Sequence, residues 1–204
     1  AAMGDALGAP TEAMSRADIV SKYRGYVREF YKPGPSSYAE GNEPGEVTDD
    51  TTQMYEMARA LVKTDGDLTV EAAANALLKW SEYEKFYPRN AGPTTQYVIE
   101  ELKQGKDPLQ VGLAGGTYGR GTSNGAAMRV APAGLINPGD LDGAVKTAIT
   151  MCMPSHANQV AYSGAAAIAC GIAEAITEKA DVFSVIRACI YGARVAEQYG
   201  LEHA

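Results

Sequence analysis

Val160-Ala161-Tyr162-Ser163-Gly164-Ala165-Ala166-Ala167-Ile168-Ala169-Cys170-Gly171-Ile172-Ala173-Glu174-Ala175-Ile176 is the least polar run of the chain. It is built mostly of Ala, Gly and Ser, with Tyr162 and Glu174 inside it. A lipid-spanning helix needs about 20 strongly apolar residues, so the run reads as a buried helix of a soluble protein. It is predicted over 156–178, with Ile168, Ile172 and Ile176 at i+4 spacing. On its C-terminal side a last helix is predicted over 182–199, stopped by Gly200, with Val182, Val185, Ile186, Cys189 and Val195 as its apolar stripe. On its N-terminal side Asp140 can cap a helix to about Met153. Further back, Asp107-Pro108 supplies a cap and an N1 proline for a short helix. Thr94 can open a helix through Leu102 closed by Gly105, and Thr69 can cap one over 70–85 with Ala73, Leu77, Leu78 and Trp80 inside. Few stretches alternate with period two. The fold class is all-α.

Two hundred and four residues fit one domain, 1–204, with a core ample enough to need no disulfide or structural metal. An apolar fraction of 46% and a charged fraction of 21% exclude a disordered or fibrous chain. The net charge of −7 disfavours a nucleic-acid duplex as partner, while leaving room for a small anion in a local pocket. Cys152, Cys170 and Cys189 lie in apolar stretches without a C-x-x-C pair and read as small buried hydrophobes in a reducing compartment. With no signal peptide and no membrane span in view, a cytoplasmic location is expected.

The irregular segments 4–12, 31–47, 86–93 and 115–124 each lead towards a helix start, where unpaired N–H groups collect anions. In Val47-Thr48-Asp49-Asp50-Thr51-Thr52-Gln53-Met54 either aspartate can cap the helix that follows, which accounts for one carboxylate. Two adjacent carboxylates flanked by threonines also form a hard, all-oxygen cluster suited to Mg²⁺, Mn²⁺ or Ca²⁺. One helix end cannot fill six coordination positions. In Gly4-Asp5-Ala6-Leu7-Gly8-Ala9-Pro10-Thr11-Glu12 the glycines permit close packing or positive φ, and Pro10 ends the first helix so that Glu12 projects from a loop. Gly119-Arg120-Gly121-Thr122-Ser123-Asn124-Gly125 is a backbone cradle able to offer N–H groups to a phosphate or ribose, or a turn with no ligand. His156, one of two histidines, starts the long helix and is either structural or a ligand contact. Tyr23, Tyr26, Tyr31 and Tyr38 form a packed loop or a stacking surface for a nucleobase.

Taken together, the first two segments, then Ser123-Asn124-Gly125-Ala126-Ala127-Met128-Arg129-Val130-Ala131-Pro132 and Ser155-His156, resemble the ADP-ribosylglycohydrolase family. That family spans glycohydrolases acting on dinitrogenase reductase, ADP-ribosyl-acceptor hydrolases and J1 crystallins. The resemblance runs from Ala1 to about Gly200. It implies an orthogonally packed, all-helical fold with two Mg²⁺ ions (Mn²⁺ in their place) in a cleft. It implies Thr48, Asp49 and Asp50 as metal ligands, and Glu12 as a mobile loop carboxylate that meets the metals and gates the site. Ser123, Asn124 and Gly125 become part of the diphosphate and ribose cradle, His156 lines the ADP-ribose pocket, and Gly92 belongs to a loop beside the substrate ribose. Asn90 stands where some members carry aspartate. A Gly-Asp-x-Asp-Thr motif that supplies the other metal ligands in the family does not follow Tyr199, so the chain is expected to correspond to the first two-thirds of a member and to lack the C-terminal part.

The implied activity is metal-dependent hydrolysis of the N- or O-glycosidic bond in an ADP-ribosylated protein or small molecule, or in a related ribosyl conjugate. Glu12, Asp49 and Asp50 carry it. The alternative is a non-catalytic ADP-ribose-binding or crystallin-like structural protein that has lost half the metal site.

Overall fold

Ser15, Thr48, Thr69, Asp140 and Asn158 each turn a side-chain oxygen back onto a backbone N–H of the first helical turn, and so fix where five helices begin. The computed structural model describes residues 1–35, 37–115 and 121–203. Among these, ten α-helices and no strand occur, as the sequence leads one to expect. They are α1 (Ala2–Gly8), α2 (Arg16–Tyr23), α3 (Asp49–Lys63), α4 (Val70–Trp80), α5 (Pro93–Lys103), α6 (Pro108–Gly115), α7 (Ala131–Leu135), α8 (Leu141–Cys152), α9 (Gln159–Ala175) and α10 (Val182–His203). Short 3₁₀ turns, Ala9–Thr11 and Ala127–Arg129, follow α1 and precede α7.

The central helix is α9, which packs on α7, α8 and α10. Its buried face is Ala161, Tyr162, Ala165, Ala166, Ala169, Cys170 and Ala173. The face of α10 against it is Ala188, Gly192, Ala196 and Gly200. This corrects part of the expected stripe: Val185 and Cys189 do face α9, beside Gly171, but the others do not. Val182 is 70% exposed, and Ile186, Val195, Ile168 and Ile176 also face outward. The reason is steric. A Cβ on Gly192 would stand 2.4 Å from the Ala166 carbonyl oxygen, and one on Gly200 would stand 2.4 Å from Gln159 Cα. Backbones that close leave no room for a branched residue at these two positions. Gly200 therefore continues α10 to His203 instead of ending it.

Other boundaries move for local reasons. The helix that begins at Val70 ends at Trp80, because Ser81 Oγ turns back to the Leu78 carbonyl at 2.7 Å and the chain then turns. The Trp80 indole N–H donates to Thr52 Oγ1 at 2.8 Å and binds α4 to the first turns of α3. The helix α5 starts at Pro93, one residue ahead of the expected Thr94, with Gly92 as its cap. The long helix starts at Gln159, not His156, because Asn158 Oδ1 accepts from the Ala161 N–H at 3.0 Å. The thiols of Cys152, Cys170 and Cys189 are free, and the first two are buried. Among the described residues no helix is long and apolar enough to cross a membrane.

Candidate functional site

Thr48, not either aspartate, caps α3: its hydroxyl oxygen accepts from the Asp50 N–H at 3.4 Å. The strongest acceptor at this helix start comes from another element. Asp5, on α1, accepts from the Thr48 N–H at 2.9 Å and the Thr48 hydroxyl at 2.8 Å. It also accepts from the Thr51 hydroxyl at 2.6 Å and the Thr51 N–H at 3.3 Å. Sequence reasoning assigned Asp5 no role. Its donors lie 43 and 46 positions away, so no local pattern announced the clamp.

With Asp5 spent on the cap, Asp49 and Asp50 form no salt bridge among the described residues and face a cavity of about 360 Å³. Its walls are Gly4, Asp5, Gly8, Ala9, Thr11, Glu12, Thr48, Asp49 and Asp50, with no basic side chain among them. Gly4 and Gly8 do not serve close packing or positive φ. A Cβ on either would meet nothing within 4 Å, and their bareness leaves the cavity open. Burial and the neighbouring Asp50, Glu12 and Asp5 charges push the Asp49 carboxyl up to about 7. The Asp50 carboxyl is raised by burial and by Asp5, and that of Glu12 by burial, Asp50 and Asp5. Carboxylates so crowded attract a cation. The donor set is all oxygen, which fits a hard divalent ion. Among the described residues, however, no three His, Cys, Asp or Glu side chains are placed to hold a metal ion by themselves.

The second group of site residues gathers around His156. The residue is fully buried in the turn between α8 and α9, where its backbone N–H donates to the Cys152 carbonyl at 2.8 Å. Its Nε2 lies 3.1 Å from Ser123 Oγ and its Nδ1 2.8 Å from Ser155 Oγ. Burial and the nearby Arg129 guanidinium hold the imidazole down to about 3, so it is neutral. Gly125 must be glycine, since a Cβ there would stand 2.9 Å from His156 Cε1 and Nε2. The Gly121 N–H bonds Thr94 Oγ1 at 3.2 Å, and its carbonyl accepts from Asn158 Nδ2 at 2.7 Å. This ties the Ser123 loop to the first turn of α5, next to Gly92, and to the cap of α9. Ser123 and Asn124 are exposed. Gly119 and Arg120 of the same motif lie outside the described residues.

None of Gly92, Ser123, Asn124, Gly125 or His156 lines the acidic cavity. The two groups are bridged by Arg129, which is wholly buried. Its Nη1 donates to Gln53 Oε1 at 3.0 Å, and its Nη2 donates to Ser155 Oγ. Burial lowers this guanidinium to about 10, still a cation at neutral pH, while Cys152 and Asp49 pull the other way. Neither Arg129 nor Gln53 was singled out from the sequence.

Of the four tyrosines only Tyr23 is packed inside; Tyr26, Tyr31 and Tyr38 are exposed. Tyr23 is buried, with its hydroxyl on the Pro10 carbonyl at 3.3 Å, and Tyr31 leans on its ring at 4.8 Å between centroids. Asn90 donates to the Tyr38 carbonyl at 3.4 Å. Beside it Arg89 grips the Glu40 carbonyl at 2.8 Å and Asn42 Oδ1 at 2.6 Å, fixing the loop that delivers Thr48. A larger groove of about 740 Å³, lined by Met54, Ala58, Leu61, Val62, Leu135 and Ile136 among others, is apolar and includes neither of the paired aspartates in its lining.

A family model described as ADP-ribosylglycohydrolase matches residues 1–204. An uncharacterized protein YegU of Escherichia coli is 30% identical over 182 residues, covering 86% of this chain and 51% of its own length. An uncharacterized protein of Archaeoglobus fulgidus is 34% identical over 180 residues, 88% of this chain and 54% of that one. The ADP-ribosyl-[dinitrogen reductase] glycohydrolase of Rhodospirillum rubrum is 32% identical over 145 residues, 69% of this chain and 44% of that one. The chain spans about half the length of the curated relatives it matches.

Proposed function

The chain belongs to the ADP-ribosylglycohydrolase family, and from that premise we propose that it carries the cation-binding and ADP-ribose-binding part of a metal-dependent hydrolase of ribosyl glycosidic bonds. The observation that supports this best is the pairing of Asp49 and Asp50 at the start of α3, facing Glu12 across one cavity with no basic side chain among the described residues that line it.

In this reading Thr48, Asp49 and Asp50 hold Mg²⁺, two ions as the family resemblance implies, with Mn²⁺ as a substitute. Two carboxylates and a hydroxyl leave coordination positions for water and ligand oxygens, which suits a cation that sheds water reluctantly. When bound, the ions supply charge to the ribose hydroxyls and to a water. Asp49 and Asp50 neutralise that charge and fix its place relative to α3. Cleavage of the C1″–N or C1″–O bond builds positive charge on the sugar. Glu12 accepts a proton from the attacking water at a carboxylate oxygen, and its position in the loop after the Ala9–Thr11 turn lets it move aside for substrate. Ser123, Asn124 and Gly125 hold diphosphate and ribose. His156 orients Ser123, and Gly92 borders the ribose. Binding energy from these remote contacts places C1″. The substrate is an ADP-ribosylated protein or small molecule, or a related ribosyl conjugate, and the setting is cytoplasmic.

One observation favours a second reading. Because no three metal-ligating side chains among the described residues close on one point, the fold can also act as a non-catalytic ADP-ribose-binding or structural module. Calorimetric titration with Mg²⁺ and ADP-ribose, followed by a hydrolysis assay, separates the two. The hydrolase reading expects both ligands to bind and the Asp49→Ala, Asp50→Ala double variant to lose Mg²⁺ binding and turnover together. Undiminished hydrolysis by that variant rejects the metal assignment. ADP-ribose binding without any turnover leaves the module.

A further inference from the structure

Arg129 sits in the Ala127–Arg129 turn, which packs between α3 and α9. A guanidinium has only donors. The direction of every hydrogen bond that leaves it is therefore settled, and the distances beyond it indicate how the chain of bonds continues.

Towards α3, Arg129 Nη1 donates to Gln53 Oε1 at 3.0 Å. Gln53, itself fully buried, must then present its amide N–H groups on the other side, where Nε2 reaches Asp49 Oδ2 at 3.5 Å. Towards the turn between α8 and α9, Nη2 donates to Ser155 Oγ. Ser155 has one hydroxyl proton to give. His156 Nδ1 lies at 2.8 Å and the Cys152 carbonyl at 3.4 Å, so the proton goes to Nδ1. A neutral imidazole that accepts at Nδ1 carries its own proton on Nε2. Nε2–H then donates to Ser123 Oγ at 3.1 Å. The hydroxyl proton of Ser123 is not consumed by this chain of bonds, and Ser123 stands at the surface.

We propose that Arg129 is the common root of two directional hydrogen-bond chains, a positioning residue that turns a donor onto Asp49 at one end and makes Ser123 a donor to an anionic diphosphate ligand at the other. Arg129 touches neither ligand. Its Nε is the one buried side-chain polar atom without a partner among the described residues, so the guanidinium is placed for its two Nη bonds and not for full satisfaction. The ligand identities rest on the hydrolase reading above; the bond directions do not.

The first test is the ¹⁵N spectrum of the two imidazoles at pH 7, assigned with His203→Asn. His156 is expected as the Nε2–H tautomer, and that preference is expected to weaken in Ser155→Ala. The Nδ1–H tautomer in the unmodified protein overturns the proposal. The second test titrates ADP-ribose and Mg²⁺ into Ser155→Ala and Gln53→Leu, which remove one arm each. Loss of one charge-assisted bond corresponds to about a tenfold change in affinity. Ser155→Ala is expected to weaken ADP-ribose about tenfold with Mg²⁺ unchanged, and Gln53→Leu to weaken Mg²⁺ with ADP-ribose unchanged. Ser155→Thr, which keeps the hydroxyl, is expected to restore the first. Equal effects on both ligands from both variants would mean general loosening of the fold and overturn the proposal. If the unmodified protein binds neither ligand, the hydrolase reading fails, and the tautomer still decides the bond directions.

Discussion

Asp5 and Thr48 are joined by two hydrogen bonds at once, one from the Thr48 amide at 2.9 Å and one from its hydroxyl at 2.8 Å. The same carboxylate takes both donors of Thr51. A residue of α1 thus closes the start of α3 and sets the two aspartates that follow Thr48. Asp5→Ala leaves these donors without an acceptor and is expected to cost about 2–4 kcal/mol in chemical denaturation. Asp5→Asn keeps part of the acceptor set and should cost less. Equal stability of Asp5→Ala and the parent would show that α3 starts without this clamp.

Gly192 poses a sharper test of packing. In an open helix, glycine to alanine stabilises by about 1 kcal/mol. Here the added methyl would meet the Ala166 carbonyl oxygen at 2.4 Å and Cys170 Sγ at 2.6 Å. Gly192→Ala is expected to destabilise by about 1–3 kcal/mol, as overpacked cores do. Gly164, on the partner helix α9, where an added Cβ would meet nothing within 4 Å, serves as the control, and Gly164→Ala is expected to gain. Thermal melting of the two variants should therefore shift in opposite directions.

Those two glycines also show what the sequence makes legible. Helix starts were readable because capping is local: Thr69, Asp107 and Asp140 each accept from an N–H three residues on. The Thr48-Asp49-Asp50 segment and Glu12 could be picked out because their chemistry is written in adjacent letters, and the fold brings them to one cavity. The inner face of α10 was legible only at Val185 and Cys189. Hydrophobic patterning rewards Val and Ile, whereas a backbone-to-backbone seam selects Gly and Ala. Arg129 was missed for a different reason: Gln53 lies 76 positions away and Ser155 lies 26 away, so no local pattern announces the bridge.

His156 gives a pH dependence whose sign is fixed. Its folded value is about 3, below the ordinary 6.5. At pH 5 the unfolded chain holds a proton that the folded protein excludes. Unfolding then takes up a proton, so stability is full above about pH 6.5 and falls as pH drops towards 3. From 7 to 5 the contribution is about 2 kcal/mol. His156→Gln should remove that part of the acid slope, read by denaturant melts at several pH values. A His156 resonance that titrates near 6.5 in the folded protein would contradict the burial that drives the shift.

Gly125→Ala separates the cradle from the cation cavity. The new methyl would stand 2.9 Å from both Cε1 and Nε2 of His156. The ring cannot retreat, because its Nδ1 side is held by Ser155 at 2.8 Å and the residue has no exposed surface. The Ser123 loop must therefore shift outward, lengthening the 3.1 Å contact between Nε2 and Ser123 Oγ. ADP-ribose affinity is expected to fall about tenfold, the effect of one misplaced polar contact. Mg²⁺ affinity is expected to stay within a factor of about two, since Gly125 lines no part of the acidic cavity. Isothermal titration with each ligand checks both numbers. Unchanged ADP-ribose affinity would place the diphosphate elsewhere on the molecule, away from Ser123.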